Sequence, residues 1–233
     1  MIGTNNRSRF DTFNFQLRKR LSRSFLFQTN YVLSWSRSWG ARPTSSYSGN
    51  AIAVTPEIQF ASGEFGPTIF DERHRVVVSG VFQLPYGFEI APIFQAASAR
   101  PYFFRSGVDT DGDGLIRIDR VCAGSTISTP LIAGRNAPFL CRPVPVTSLR
   151  GDPFAQMDVR LGKAFRFAGE RMSLRLYWEF FNLFNRNNFG NNFSENASAS
   201  NFAQPLGYFG GNSGFGPAYG GPLRSQFGFR FEW

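Results

Sequence analysis

Three aspartates at alternate positions are the residues whose types and spacing best suit metal-binding chemistry. Asp109, Asp111 and Asp113 occupy positions 1, 3 and 5 of a loop that has glycine at position 6 and an apolar residue at position 8. Carboxylate oxygens at this spacing are hard ligands that wrap Ca²⁺. Position 12 is Arg120 instead of an acid, although Asp119 is adjacent, and Asp-Gly repeats are also ordinary turn formers. The loop is therefore a candidate Ca²⁺ site with turn formation as the alternative.

The other residues that could support catalysis form no known catalytic set. His74 is the only histidine, which excludes zinc sites of the usual cysteine and histidine composition. A Ser-His-Asp triad would depend on this one residue at a strand start, where pairing with Asp71 or Glu72 is the simpler interpretation. Nothing places Glu89 and Glu179 at the separation of glycosidase carboxylates. We expect a protein that is not an enzyme and that has no cofactor beyond the candidate Ca²⁺.

The two cysteines, Cys122 and Cys141, lie in one segment rich in glycine, proline, serine and threonine. Their spacing does not match that of metal ligands. An even count in such a loop favours a disulfide, and with it an oxidising compartment, over two free thiols.

The net charge of +9 comes almost entirely from arginine. A basic chain invites a nucleic-acid interpretation, but such proteins gather their cations in a stripe or between exposed stacking aromatics. Here the arginines occur singly within alternating segments. We therefore expect no nucleic-acid partner.

The elements that position these residues are predicted to be β-strands, because apolar and polar residues alternate with period two in seven segments. No apolar run approaches the 18 or so residues of a membrane-spanning helix. The aromatic content of 17%, with 28 Phe, is unusually high. The predicted strands cover residues 12–20, 25–36, 75–84, 88–97, 156–167, 172–181 and 224–233.

The connections between these strands alternate between short turns and long loops. The turns have three or four residues, whereas the loops have roughly thirty to fifty-five, far above the ordinary range. Outer-membrane barrels combine short periplasmic turns with long extracellular loops. The sequence thus predicts an all-β protein, an antiparallel transmembrane β-barrel in the Gram-negative outer membrane, with its C-terminus in the periplasm.

A lipid-facing surface explains the aromatic residues. In a membrane barrel the apolar side of each strand contacts lipid, which accommodates Phe and Trp, and the polar side faces the lumen. Outer-membrane lipid is therefore an expected partner. The residues expected to face the lumen are Arg18, Arg75, Arg160, Arg175 and Glu179.

Seven strands are an odd number, and an open sheet edge in hydrocarbon would leave backbone groups without hydrogen bonds. The first ten residues also lack the apolar stretch of a secretion signal. We therefore expect residues 1–233 to be the C-terminal part of one barrel domain whose first strands lie upstream.

Several motifs resemble those of Oar-like TonB-dependent transporters. They are the strand-turn-strand segment 13–38, Phe70-Asp-Glu-Arg-His-Arg75, Leu84-Pro-Tyr-Gly87, the stretch from Glu179 to Phe189 that contains Phe-Asn-Leu-Phe-Asn, and the terminus Arg224-Ser-Gln-Phe-Gly-Phe-Arg-Phe-Glu-Trp233. The resemblance covers nearly all of the chain. It implies a barrel of about 22 strands, which is within the range known for such proteins. It also implies an upstream plug, and coupling to the TonB complex through a missing N-terminal region.

The last strand resembles the β-signal through which the barrel-assembly machinery recognises its clients. The matching residues are Gln226, Gly228, Phe231 and Trp233. The barrel-assembly machinery is therefore a further expected partner.

Two functions remain open. In the first, the chain is part of a TonB-dependent transporter or receptor that takes up or exports a bulky solute of unknown identity. The alternative is a structural or adhesive outer-membrane barrel that binds partners through its long loops without transport.

Overall fold

The computed structural model describes residues 7–22, 24–39, 65–110, 112, 114, 116, 119–126, 129, 130, 132, 140–145, 147–167, 171–210 and 220–233. These residues are nearly all strand, turn or loop, with a single 3-10 turn at Pro85–Gly87 as the only helical element among them. No helix in these ranges is long and apolar enough to cross a membrane.

One large antiparallel sheet dominates the described structure. Its eight strands and the two of a small second sheet are, in chain order, β1 Ser8–Ser22, β2 Phe25–Trp39, β3 Phe65–Pro67, β4 His74–Leu84, β5 Phe88–Ala97, β6 Pro101–Tyr102, β7 Leu149–Arg150, β8 Phe154–Phe167, β9 Met172–Phe181 and β10 Arg224–Glu232. The seven long strands pair in the order β1-β2-β4-β5-β8-β9-β10, each with its neighbour in sequence. The short β3 adds to β2, and β6 pairs with β7 in the second sheet.

The seven predicted strands are confirmed, and their order makes an uninterrupted meander. β5 and β9 have the predicted limits, whereas β1 begins at Ser8 and β2 continues to Trp39, beyond the stretches where alternation is clean. The short strands β3, β6 and β7 were not predicted. Strands of two or three residues are too short to display a period of two.

Pro92 disturbs the sheet less than a bulge would. The pairs Ser79 with Ile93 and Phe82 with Ile90 share one register on either side of it. Between these two pairs, β4 and β5, which are both fully described, do not pair with each other. The ladder is therefore interrupted without a shift of register. Because proline has no N–H to donate, a gap of this kind is the minimum cost of placing it in a strand.

The register brings residues of one kind to the same face across the whole sheet. Phe82 pairs with Phe25 on one side and Ile90 on the other, and Leu161 pairs with Ile90 and Trp178. We call this the apolar face. The opposite side, the polar face, carries the glutamine, asparagine and glutamate residues of the same strands and most of their arginines; Arg9 and Arg37, at the long-loop end of β1 and β2, have apolar-face positions.

Successive short turns are staggered along the strands. Phe25, just after the first turn, pairs with Phe82, and β4 continues two residues further to Leu84. Phe88, after the second turn, pairs with Lys163, and β8 continues four residues further to Phe167. At about 3.3 Å per residue and 4.8 Å between strands, this stagger corresponds to a tilt of about 45°. Closed β-barrels have strand tilts of this size.

The long connections fold over one end of the polar face. We call their described residues, within 65–73, 98–153 and 182–223, the cap. Polar-face residues beneath it are buried, including Ser38 at 1% exposure and Gln156 at 2%. At the short-turn end of the same face, Gln83 and Arg166 are exposed. The polar face is thus covered at its long-loop end and open at its turn end.

Neighbouring positions on β10 test the assignment of the two faces. We expect a spin label at Phe229→Cys to be reached by oxygen dissolved in a bilayer, and one at Arg230→Cys by a water-soluble nickel chelate, because these side chains lie on opposite faces. Electron paramagnetic resonance accessibility measures both. Equal accessibility of the two labels to either reagent would contradict the assignment.

Candidate functional site

Glu179 is the centre of a polar cluster that links three strands on the polar face. Its β9 position pairs in register with Arg160 of β8 and Gln226 of β10. Arg160 Nε donates to Glu179 Oε1 at 2.5 Å, and Gln226 Nε2 donates to Oε2. Gln226, predicted as part of the β-signal, therefore also completes the hydrogen bonding of this carboxylate.

A cationic groove lies on the polar face next to this cluster. The cavity has a volume of about 480 Å³, and its charged lining residues are Arg160, Arg166, Arg175, Arg230 and Glu89, with Lys163 at its edge. Arg175 and Arg230 are direct cross-strand partners. Like charges at this separation destabilise a sheet, so the groove favours an anionic group that approaches it. Arg230 Nη2 is paired with Glu232 Oε1 at 2.7 Å, which relieves part of this repulsion.

The other two residues predicted to face the lumen have different surroundings. Arg18 is an exposed β1 residue on the polar face, opposite Gln28. Arg75 donates through Nε to Glu72 Oε1 at 2.6 Å, and Arg100 donates to Oε2 of the same carboxylate at 2.8 Å. All five residues lie on the polar face, but Arg75 serves to hold the cap to the sheet.

Asp71 is a second attachment point of the cap. Its side chain is fully buried and accepts from the Ser36 backbone N–H at 2.9 Å, from Arg150 Nη2 at 3.1 Å and from Arg73 Nη2 at 3.4 Å. The expected pairing of His74 with Asp71 or Glu72 is wrong. His74 Nδ1 instead shares a hydrogen bond of 2.8 Å with Tyr31 Oη, because its side chain lies on the apolar-face side of β4, beside Tyr31 of β2.

Two asparagines of the Phe-Asn-Leu-Phe-Asn region connect β8 to the last long connection. Asn182 donates its backbone N–H to Asp158 Oδ1 at 2.8 Å and its side-chain amide to the Gly221 carbonyl at 2.7 Å. Asn188 pairs with both backbone groups of Ala155, accepting at 2.9 Å and donating at 3.0 Å. The sequence motif predicts none of these contacts, since each joins segments that are distant in sequence.

The cap has a small interior of its own. The Cys122–Cys141 disulfide predicted from the sequence is present, with Cα atoms 5.6 Å apart, and Ile132 packs against it. Beside it, the fully buried Arg120 donates Nη1 to the Val144 carbonyl at 2.6 Å. Elsewhere in the cap, burial raises the pKa of Tyr102, and the negative charge of Asp152 adds to the effect.

The candidate Ca²⁺ loop is described in part. Asp109 accepts backbone N–H groups from Gly112 at 2.6 Å and from Gly114 at 3.0 Å, which closes a tight turn. Asp119 Oδ1 accepts from the backbone N–H of Thr110, the second residue of that turn, at 2.7 Å. Asp111 and Asp113 lie outside the described residues. Within the described ranges no three His, Cys, Asp or Glu side chains form a metal-binding group, so Ca²⁺ binding stays a prediction.

The terminal strand contains a close glycine-aromatic contact. Gly228 pairs with Tyr177, and a Cβ at Gly228 would lie 2.6 Å from Tyr177 Cε2. The ring of Phe231 stacks on that of Trp233 at 5.9 Å, and Trp233 is 91% exposed. Gly228 is therefore the residue of the predicted β-signal whose identity the structure explains most directly.

Removal of the Asp71 carboxylate tests the attachment of the cap. We expect Asp71→Ala to lower the free energy of unfolding by about 1–3 kcal/mol, because buried donors lose their acceptor. Urea unfolding in lipid vesicles, followed by tryptophan fluorescence, measures the change. Asp11→Ala is the control, since its ion pair with Arg9 is exposed and should contribute nothing measurable. An equal loss in both variants would contradict the role of Asp71.

A double substitution tests the contact between Gly228 and Tyr177. We expect Gly228→Ala to slow folding into vesicles, because its Cβ collides with the ring, and Gly228→Ala combined with Tyr177→Ala to restore the rate. The shift in electrophoretic mobility that accompanies barrel folding follows the reaction over time. If the double variant stayed as slow as Gly228→Ala, the collision could not be the cause.

Comparison with known proteins agrees with this architecture. Residues 1–212 match the family described as Outer membrane beta barrel domain, a range that contains β1 to β9. Searches of curated proteins and of solved structures gave no match. The family match agrees with two features of the structure: the alternation of apolar and polar faces, and the stagger of the short turns, which corresponds to the strand tilt of a barrel. The chain belongs to the outer-membrane β-barrel domain family, and its location is the outer membrane.

Proposed function

We propose that the chain forms the C-terminal part of the barrel of an Oar-like TonB-dependent transporter or receptor. In this proposal the apolar face contacts lipid and the polar face lines a passage for a bulky solute. The observation that carries it is the polar face of the seven long strands, which carries arginine and glutamate side chains and is covered by a cap at one end only. A protein that served only as a membrane anchor would have no need for such a surface.

The direction of the chain follows from the same asymmetry. The cap, with its disulfide, is the extracellular side, and the short turns and Trp233 are periplasmic. The support for this orientation is the contrast between three-residue Pro85–Gly87 and the extended cap segments. The barrel-assembly machinery would then meet β10 from the periplasm.

The polar face also limits which solutes suit the passage. The cationic groove lies at the turn end, so it is periplasmic in this orientation, and its four arginines favour anionic groups. The plug and the TonB-coupling segment would lie upstream of this chain in a barrel of about 22 strands, within the known range for such proteins. No catalytic chemistry is part of the proposal.

One observation favours the alternative, a structural or adhesive barrel. The cap has a second concave surface of about 420 Å³, lined among others by Asn192, Phe193, Asn196 and the ion pair of Arg105 with Glu195 at 2.7 Å. Amide, charged and aromatic groups together suit the binding of a polar partner outside the cell. The Ca²⁺ proposed for the adjoining loop of Asp109 would strengthen the cap in either case.

Binding to TonB distinguishes the two functions. We expect the protein purified from outer membranes to bind the periplasmic domain of TonB, and a form lacking its most N-terminal periplasmic segment to lose that binding. Surface plasmon resonance with immobilised TonB domain measures both. An adhesive barrel predicts no binding by either form, and that result would refute the transporter proposal.

A further inference from the structure

The chain contains only two lysines, Lys19 and Lys163, among 25 basic residues. Both have the strand position that places a side chain on the apolar face, because Lys19 pairs with Phe27 and Lys163 with Phe88 and Leu176. Each lies three or four residues before the end of its strand, next to a short turn. The arginines predicted to face the lumen all lie on the opposite face.

The two ammonium groups have similar surroundings. Lys19 Nζ lies 3.6 Å from the ring centroid of Phe25 and donates to the Phe25 and Ser22 carbonyls at 3.3 Å. Lys163 Nζ lies 4.0 Å from the ring centroid of Phe88 and donates to the Tyr86 carbonyl in the short turn. Both lysines therefore extend along aromatic surface with the charge directed to the turn, as lysines do at a membrane interface.

A groove on the apolar face distinguishes Lys163 from Lys19. It has a volume of about 280 Å³, and its lining includes Phe88, Ile90, Leu161, Leu176, Trp178 and Phe227, with Lys163 at its turn end. The register explains its shape. Phe88, Lys163 and Leu176 form one row across the sheet, and Ile90, Leu161, Trp178 and Phe227 form the next.

We infer that this groove binds a phospholipid, with an acyl chain between the two rows and the anionic phosphate on Lys163 Nζ. An ammonium carries three N–H donors, so the bond to Tyr86 leaves capacity for a phosphate oxygen. Strand parity places no Asp or Glu side chain on the apolar face in the turn-side half of the seven long strands. Glu89 also lines the groove, but from a polar-face position opposite Gly162. On the apolar face, the membrane leaflet at the short turns supplies the anionic charge for Lys163.

The inference depends on the outer-membrane location of the chain and not on transport. A volume just below the roughly 300 Å³ at which small-molecule clefts begin suits one acyl chain better than a folded ligand. Lys19 has the same interfacial position, and it lines none of the cavities named above for the described part of the chain. It is therefore the matched control.

Native mass spectrometry of the protein from outer membranes tests the site. The probes are phosphatidylglycerol and a diacylglycerol with the same acyl chains. We expect one phosphatidylglycerol to bind, and Lys163→Gln to weaken its binding about five-fold, the effect of one interfacial lysine. Lys19→Gln should bind as the unaltered protein does. Leu161→Trp, which fills the groove, should weaken binding of both lipids.

Each of three results would overturn the inference. The first is the absence of a retained phosphatidylglycerol on the unaltered protein. The second is equal binding by the unaltered protein and Lys163→Gln. The third is an equal loss in Lys19→Gln and Lys163→Gln, which would indicate general interfacial charge and no discrete site. Because TonB binding is measured separately, failure here leaves the proposed transport function standing.

Discussion

The need to satisfy every backbone hydrogen bond within hydrocarbon is the constraint on which the rest of this structure depends. A strand in lipid must pair along its length, since each unpaired group costs several kcal/mol, on the order of a lost hydrogen bond in an apolar medium. Pairing fixes the register, and the register fixes which face each side chain occupies. Aromatic residues on one face and charged residues on the other then follow from the alternation along each strand. The row from Phe25 to Phe227 is one result of it.

The two ends of the sheet are held together by different means. At the turn end, short connections suffice, and the exposed strands depend on backbone pairing. At the other end, carboxylates such as Asp71, Glu72 and Asp158 accept hydrogen bonds from cap, sheet and backbone donors together. Buried acids of this kind are stabilising only when nearly all their acceptor capacity is used. The cap therefore combines these polar contacts with small groups of buried apolar residues such as Tyr102, Phe103 and Val121.

The sequence predicts the long strands well because alternation, turn residues and connection length all indicate the same elements. It predicts the disulfide because only one pairing is available to Cys122 and Cys141. It does not predict that Asn188 binds Ala155, or that Arg75 serves the cap, since both contacts join segments distant in sequence through side chains. The error at His74 has the same origin. Proximity in sequence suggested Asp71 and Glu72, whereas strand pairing brings Tyr31 to it.

The side-chain amide of Asn188 covers part of one edge of β8. From Phe154 to Asp158 this strand pairs with β5, but its pairing with β9 begins only at Val159. Asn188 takes the place of a neighbouring strand there by engaging both backbone groups of Ala155, and Leu183 donates its N–H to the Met157 carbonyl at 2.7 Å. An unprotected strand edge is a template for pairing with another polypeptide. The Asn188 side chain therefore occupies a stretch of strand edge that would otherwise offer its backbone groups to another polypeptide.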